Sequence, residues 1–260
     1  QAVRAIADLT DPVLVQHKLD AGAGDARIAE RLAKLAKDTN PRLVLEIVIA
    51  LGWLRWADSP SWLRKELTQP DGALAHAAMI TLRKCGNWPA VLKLLDLPDS
   101  APIRAIALRA LAEQVVPEIA DGLMERLRTE KKSERRKEYA ESLSRIARKP
   151  GEWVYWGYRP PPRPARSVGW PKSEAISEVL NAMLVEGDKS VRVFVLKRMQ
   201  REKLTARMES LVSWLNGETE SDTLLLLLDA LGQHPHATIR EHLETLVADR
   251  KKPIAIRQSA

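Results

Sequence analysis

The side chains best equipped for chemistry crowd into one stretch, Lys149 to Pro171. It holds Trp153, Trp156 and Trp170 with Tyr155 and Tyr158, beside Arg159, Arg163 and Arg166. Three of the eight Trp and two of the three Tyr of the 260-residue chain therefore lie in this one segment, so its composition departs from that of its surroundings. Rings interleaved with guanidiniums offer stacking and cation–π contact, the means by which a single-stranded nucleic acid or an acidic protein surface is held. The chemistry implied is recognition rather than bond-making. A run of Pro residues keeps the segment out of helix.

Other reactive residue types are scattered. His234 and His236 flank Pro235, with His242 further on, and neither Cys nor a placed carboxylate accompanies them, so loop and helix-start roles are preferred to a metal site. The single Cys85, before Gly86, excludes an internal disulfide and a thiolate cluster, and a small buried residue at a helix end is expected there. There is no Gly-rich phosphate loop, no Gly-x-Ser-x-Gly elbow and no His-Glu-x-x-His. We expect no catalytic, cofactor-binding or metal residue, no cofactor in this chain, and no enzyme activity of its own.

The elements that must carry the aromatic segment show up as a repeat. A polar turn with Asp or Pro, followed by an Ala/Leu/Ile-rich helix that opens near an Arg, recurs at Asp11-Pro12, Asp38 to Arg42, Asp71-Gly72, Asp99 to Arg104, Ser133 to Arg135, Asp188 to Arg192, Ser221-Asp222 and Lys252-Pro253. The spacing is about 30 residues, the length of a two-helix unit, except across the aromatic segment, where it grows by about 25. Between anchors, stretches such as Ala26 to Lys37, Trp62 to Thr68, Pro117 to Arg128, Ser173 to Val185, Leu204 to Leu215 and Ile239 to Ala248 carry apolar residues at helical spacing. No segment alternates strictly, so essentially no sheet is predicted. The fold class expected is all-α: an α-solenoid of about seven helix pairs, interrupted by one Pro/aromatic-rich insertion. Repeats would occupy 1–147 and 173–260, and the insertion 148–172, in one continuous solenoid.

Composition is ordinary for such a scaffold, 45% hydrophobic and 29% charged. No apolar run approaches the roughly 20 residues needed to span a bilayer, so no membrane insertion is expected. The first and last residues read as halves of helices, which suggests an excerpt of a longer protein. The net charge of +7 permits attraction to phosphate, and Arg42, Arg104 and Arg192 would line one edge of the solenoid. Because Asp38, Asp99 and Asp188 precede them closely, a charge ladder between stacked repeats is preferred to a phosphate-binding row. Likewise Lys131, Lys132, Arg135, Arg136 and Lys137 alternate with Glu130, Glu134, Glu138 and Glu141, as in a solvated ion-pair face. For the insertion, three readings stand. The rings fold back and plug the groove between flanking repeats, or they form a docking site for another domain or protein, or they meet nucleic acid or a small ligand.

The anchors, with their Asp-x-x-Pro or Asp-x-x-Val-Arg opening followed by Ala-Leu, resemble those of the HEAT repeat family over nearly the whole chain outside the insertion. Asp71-Gly-Ala-Leu and Asp222-Thr-Leu-Leu depart from the pattern by lacking the Arg. The segment from Trp153 to Trp170, set among such repeats, resembles one from large exported planctomycete and verrucomicrobial proteins. Those are similar to membrane-bound dehydrogenases and join a β-propeller, a HEAT-like middle and a c-type cytochrome domain. The resemblance implies a right-handed solenoid, an exported or periplasmic setting, and a middle piece that positions neighbouring domains of the same polypeptide or a partner protein. It carries over no haem ligand, because the chain has no Cys-x-x-Cys-His. The alternative is a nucleic-acid-binding solenoid similar to HEAT-like DNA glycosylases. That would need a Trp and an acid side by side on inner helices, and Trp53 and Trp56 have only Asp58 nearby, in a predicted loop.

Overall fold

The computed structural model describes residues 1–37, 40–154 and 162–248. Helices dominate, and their starts follow local chemistry. Asp25, Asn40, Asp71 and Asp188 each accept a backbone N–H of the first turn, opening α3 (Ala26–Leu35), α4 (Pro41–Trp53), α6 (Gly72–Lys84) and α12 (Lys189–Arg201). Pro at the first helical position opens α4, α8 (Pro102–Leu111) and α9 (Pro117–Thr129), where its missing N–H has no partner to lose. The remaining helices are α1 (Ala2–Thr10), α2 (Pro12–Gln16), α5 (Ser59–Glu66), α7 (Trp88–Lys93), α10 (Ser133–Ile146), α11 (Ser173–Glu186), α13 (Met208–Gly217), α14 (Ser221–Leu231) and α15 (His236–Ala248). Several stops use left-handed backbone. Gly86 (φ +66°) follows α6, and Arg55, Glu113 and Lys203 adopt positive φ just beyond α4, α8 and α12.

The helices pack in sequential pairs within two compact units, Gln1–Gly122 and Leu123–Ala260. In the first, α4 packs on α1, α3 and α6, and α6 on α8; in the second, α10 packs on α11 and α12, α12 on α14, and α13 on α11 and α14. The core of each unit is aliphatic, with Ile47, Leu51, Leu63 and Leu82 sealed in the first and Leu143, Leu180, Val195 and Leu227 in the second. Side chains also tie pair to pair. Arg83 of α6 donates to the carbonyls of Arg109, Ala110 and Ala112 at the end of α8, where a cation meets the negative pole of that helix. No described helix is long and apolar enough to cross a membrane.

Three expectations need correction. Asp11-Pro12 does not open a full helix. Asp11 caps the five-residue α2, and α1 carries the packing against α4. The prediction of essentially no sheet gives way to a two-stranded antiparallel pair, β1 (Lys149–Pro150) with β2 (Arg166–Val168). The insertion leaves α10 and returns to α11 through extended, Pro-rich legs, and such legs satisfy their backbone groups most simply by pairing with each other. The expected ladder of Asp to the Arg of the next helix pair does not hold at Asp188 and Arg192. Asp188 accepts the Ser133 hydroxyl of α10 and Arg192 lies over the Trp214 ring, while Asp99 lies 3.5 Å from Arg104 five residues on. The Ser133 hydroxyl and then the Val191 N–H hold the Asp188 carboxyl below its ordinary range. Asp38 and the anchor at Lys252-Pro253 lie outside the described residues.

Candidate interaction arm

The arm begins where α10 ends. Ile146 is one of the last residues of the helix, and its carbonyl lacks an intrahelical partner. The indole Nε1–H of Trp170 fills that role at 2.6 Å, and the half-buried ring is fixed from behind as the Trp170 N–H donates to the Ser173 hydroxyl, at 2.8 Å. The Ser173 N–H in turn donates to the Trp170 carbonyl, so the return leg enters α11 through a closed turn. Between these points β1 and β2 pair with Lys149 opposite Val168 and Pro150 opposite Arg166, and the Gly151 N–H extends the ladder to Ala165.

An ionic chain holds the outer strand to the helices. Arg166 lies 3.6 Å from Glu202, which accepts Arg198 at 3.0 Å; Arg198 reaches Glu141 at 3.6 Å, and Glu141 accepts Arg145 at 2.7 Å. Arg198 is only 8% exposed, so these charges are matched where water is scarce. The matching is incomplete. The buried Nε of Arg198 finds no acceptor, and neither do those of Arg136 and Arg192.

Beyond this base the arm changes character. Trp153 is 47% exposed, and its ring receives the Arg163 guanidinium at 5.9 Å from the centroid. Val154, next in sequence, is 46% exposed, and Val168, paired with Lys149 at the base, is 40% exposed. Of the predicted arm residues, the structure therefore uses Trp170 and Arg166 as anchors and brings Trp153 and Arg163 together on the surface. Tyr155, Trp156, Tyr158 and Arg159 lie outside the described residues. Trp170 is half-buried against the end of α10, whereas Trp153 is about half exposed. Sequence reasoning placed Glu141 only in a solvated ion-pair face and did not connect it to Arg198 and Glu202. Their i,i+4 spacings with Arg145 and with each other were visible, but the long-range reach of Arg166 was not.

The remaining candidates take modest places. The His234 Nε2 meets the Ala206 carbonyl at 2.9 Å in the loop before α15. Cys85 is buried at the end of α6 with its thiol on the Leu82 carbonyl, and burial pushes its pKa up. The basic helix start at α10 carries ion pairs of Lys137 with Glu134 and of Arg135 with Glu130, at 2.7 and 3.8 Å. Trp53 meets a lysine, Lys84, and Asp58 precedes α5 without a side-chain capping bond. Among the described residues no three His, Cys, Asp or Glu side chains converge as metal ligands would.

What the fold and arm define together is a mostly helical array of sequential helix pairs, with an anchored, strand-based arm inserted between two of them. No protein-family model matches the chain, and no curated protein matches it either.

Proposed function

We propose that this chain is a non-enzymatic scaffold, a right-handed HEAT-like solenoid that positions neighbouring domains or a partner protein through its arm. The observation that carries the proposal is the division of the arm into a pinned base and a displayed pair. Trp170 and Arg166 spend their polar groups on α10 and α12, while Trp153 and Arg163 stand on the surface as a preformed aromatic–cation unit. A half-exposed Trp on a held backbone loses little conformational freedom on docking, and Trp and Arg are the residues on which binding energy concentrates. The partner surface that fits is an acidic one with an apolar slot for the indole.

The resemblance to planctomycete propeller and cytochrome proteins extends the proposal to a setting: an exported redox protein, in which this chain connects the oxidising and haem modules without binding a cofactor itself. The test is capture of partners from host extract by the chain and by Trp153→Ala/Arg163→Ala, with thermal melting of both. Unchanged melting with loss of a specific partner supports docking. Equal capture by both proteins defeats it. Retention on heparin that falls steeply with salt would instead favour the nucleic-acid-binding alternative.

A further inference from the structure

In the first unit, α4 and α6 approach closely because Gly52 has no side chain. A Cβ there would sit 2.7 Å from the Thr81 hydroxyl and 3.2 Å from Thr81 Cα. The buried Thr81 hydroxyl donates to the Val48 carbonyl at 2.7 Å, so the seam between the helices leaves no polar group wanting. Over this seam lies a groove of 330 Å³, walled by Leu45, Ile49, Trp53 and Ile80 with Ala73 at its rim.

Besides Thr81, two side chains interrupt the apolar lining, His76 and Lys84. Lys84 ends α6 as Trp53 ends α4, and its Nζ stands 5.5 Å from the centroid of the Trp53 ring. Among the described residues no carboxylate comes within ion-pair distance of it. Partial burial lowers the pKa of the ammonium; Asp11 draws it up from farther off, and Arg55 opposes that. An indole face attracts a cation but supplies no counter-charge and accepts no strong hydrogen bond. The groove thus offers apolar walls for a body and one under-matched cation for a head.

We propose that this groove is a binding site for a small apolar carboxylate of the medium-chain alkanoate or arylalkanoate class, its tail along Leu45, Ile49 and Ile80 and its carboxylate on Lys84. The volume selects the size. It stands near the lower end of small-molecule pockets, which begin at about 300 Å³. It also exceeds the roughly 150 Å³ of an apolar cavity that holds one benzene. A single ring or short chain with one charged end fills it. The site belongs to the first unit and does not depend on the arm or on what the arm docks.

The experiment is titration of octanoate and 4-phenylbutyrate into the chain by calorimetry, with 1-octanol as the neutral control and an acidic apolar peptide as the macromolecular one. NMR of the Ile49 and Ile80 methyls and the Trp53 indole N–H locates the site. Saturable one-to-one binding of both carboxylates is expected, with shifts at those groups and octanol at least tenfold weaker, a factor that one charged contact supplies. Lys84→Met keeps the apolar stem and removes the charge. It should lower carboxylate affinity about tenfold and leave octanol unchanged. Ala73→Trp, on the exposed rim, should block every probe while the melting temperature holds. Absence of saturation by millimolar octanoate, wild-type affinity in Lys84→Met, shifts confined to other residues, or saturation by the peptide alone would each overturn the proposal.

Discussion

On α12 the Arg198 guanidinium lies between two carboxylates, whereas on α6 the Lys84 ammonium meets an indole ring and, among the described residues, no carboxylate. Both side chains sit on helices that open at a capping Asp, Asp188 and Asp71, and both helices pack on their neighbours in the same sequential way. The difference lies in what the charge is for. Arg198 is almost fully buried and its network runs through Glu202 to Arg166, so its charge is consumed in holding the arm. Lys84 is left at the edge of an apolar groove, and its charge remains available to something from outside. In an array of sequentially packed helices, positions that depart from internal pairing are the first places to look for a use beyond the fold.

The comparison breaks first at Arg198. Arg198→Leu leaves Glu141 and Glu202 with Arg145 and Arg166 as their remaining named partners, and we expect a loss of about 3 kcal/mol in chemical denaturation, the low end for breaking a buried pair from one side. Lys84→Leu should cost well under 1 kcal/mol in the same measurement. Equal losses would mean that Lys84 is structural after all. A second test of the internally paired region is Glu218, which is 6% exposed. Burial raises its pKa, but the Glu220 N–H, Lys189, Trp214 and the Thr219 N–H outweigh that and hold it at about 2. A carboxylate with a depressed folded pKa stabilises above its ordinary value of 4.5, and that contribution is lost as pH falls from there towards 2. Glu218→Gln should therefore lower stability at neutral pH by about 2 kcal/mol, as expected for several charged hydrogen bonds, and flatten the acid limb of the melting curve.

The groove side is sharpened by Gly52. Gly52→Val drives a branched side chain into Thr81, backbone included, so α4 and α6 must separate, at a cost of about 1.5 kcal/mol. If Thr81→Ala, which removes the hydroxyl that a Cβ at position 52 would meet first, restores part of that loss in the double variant, the close seam beneath the groove is its cause.

The pairing of helices was legible because its signals are local. Asn40-Pro41 and Asp71 at helix starts and the apolar spacing of Leu180, Met183 and Leu184 need only a few neighbouring residues to be read. What depends on distant partners was not legible. The repeated phrase Ala-Leu-Gly at Ala50 to Gly52 and Ala230 to Gly232 looks the same twice, yet Gly52 makes room for Thr81 while Gly232 faces only carbonyls of its own helix. The strand pair depends on closure of the insertion. The role of Arg166 depends on Glu202, which no pattern in the chain connects to it. The aromatic segment was visible as a compositional break, but its division into anchor and display was not, since Trp153 and Trp170 differ in no sequence property that predicts burial.

That division supplies the smallest and most discriminating contrast. Trp170→Phe keeps most of the ring and removes one donor, leaving the Ile146 carbonyl without the bond it makes at 2.6 Å. A partly buried acceptor left unmatched costs about 1.5 kcal/mol. Trp153→Ala removes far more atoms, yet a half-exposed ring that meets the exposed Arg163 contributes about 0.5 kcal/mol. The larger truncation is thus expected to have the smaller effect, a reversal that size alone would not predict. If Trp153→Ala instead costs the 3 to 5 kcal/mol typical of a sealed core aromatic, the ring is a plug and the display half of the arm is lost. If the reversal holds, the stability of the arm resides in its base, and the exposed part of the Trp153 ring is what a partner would meet.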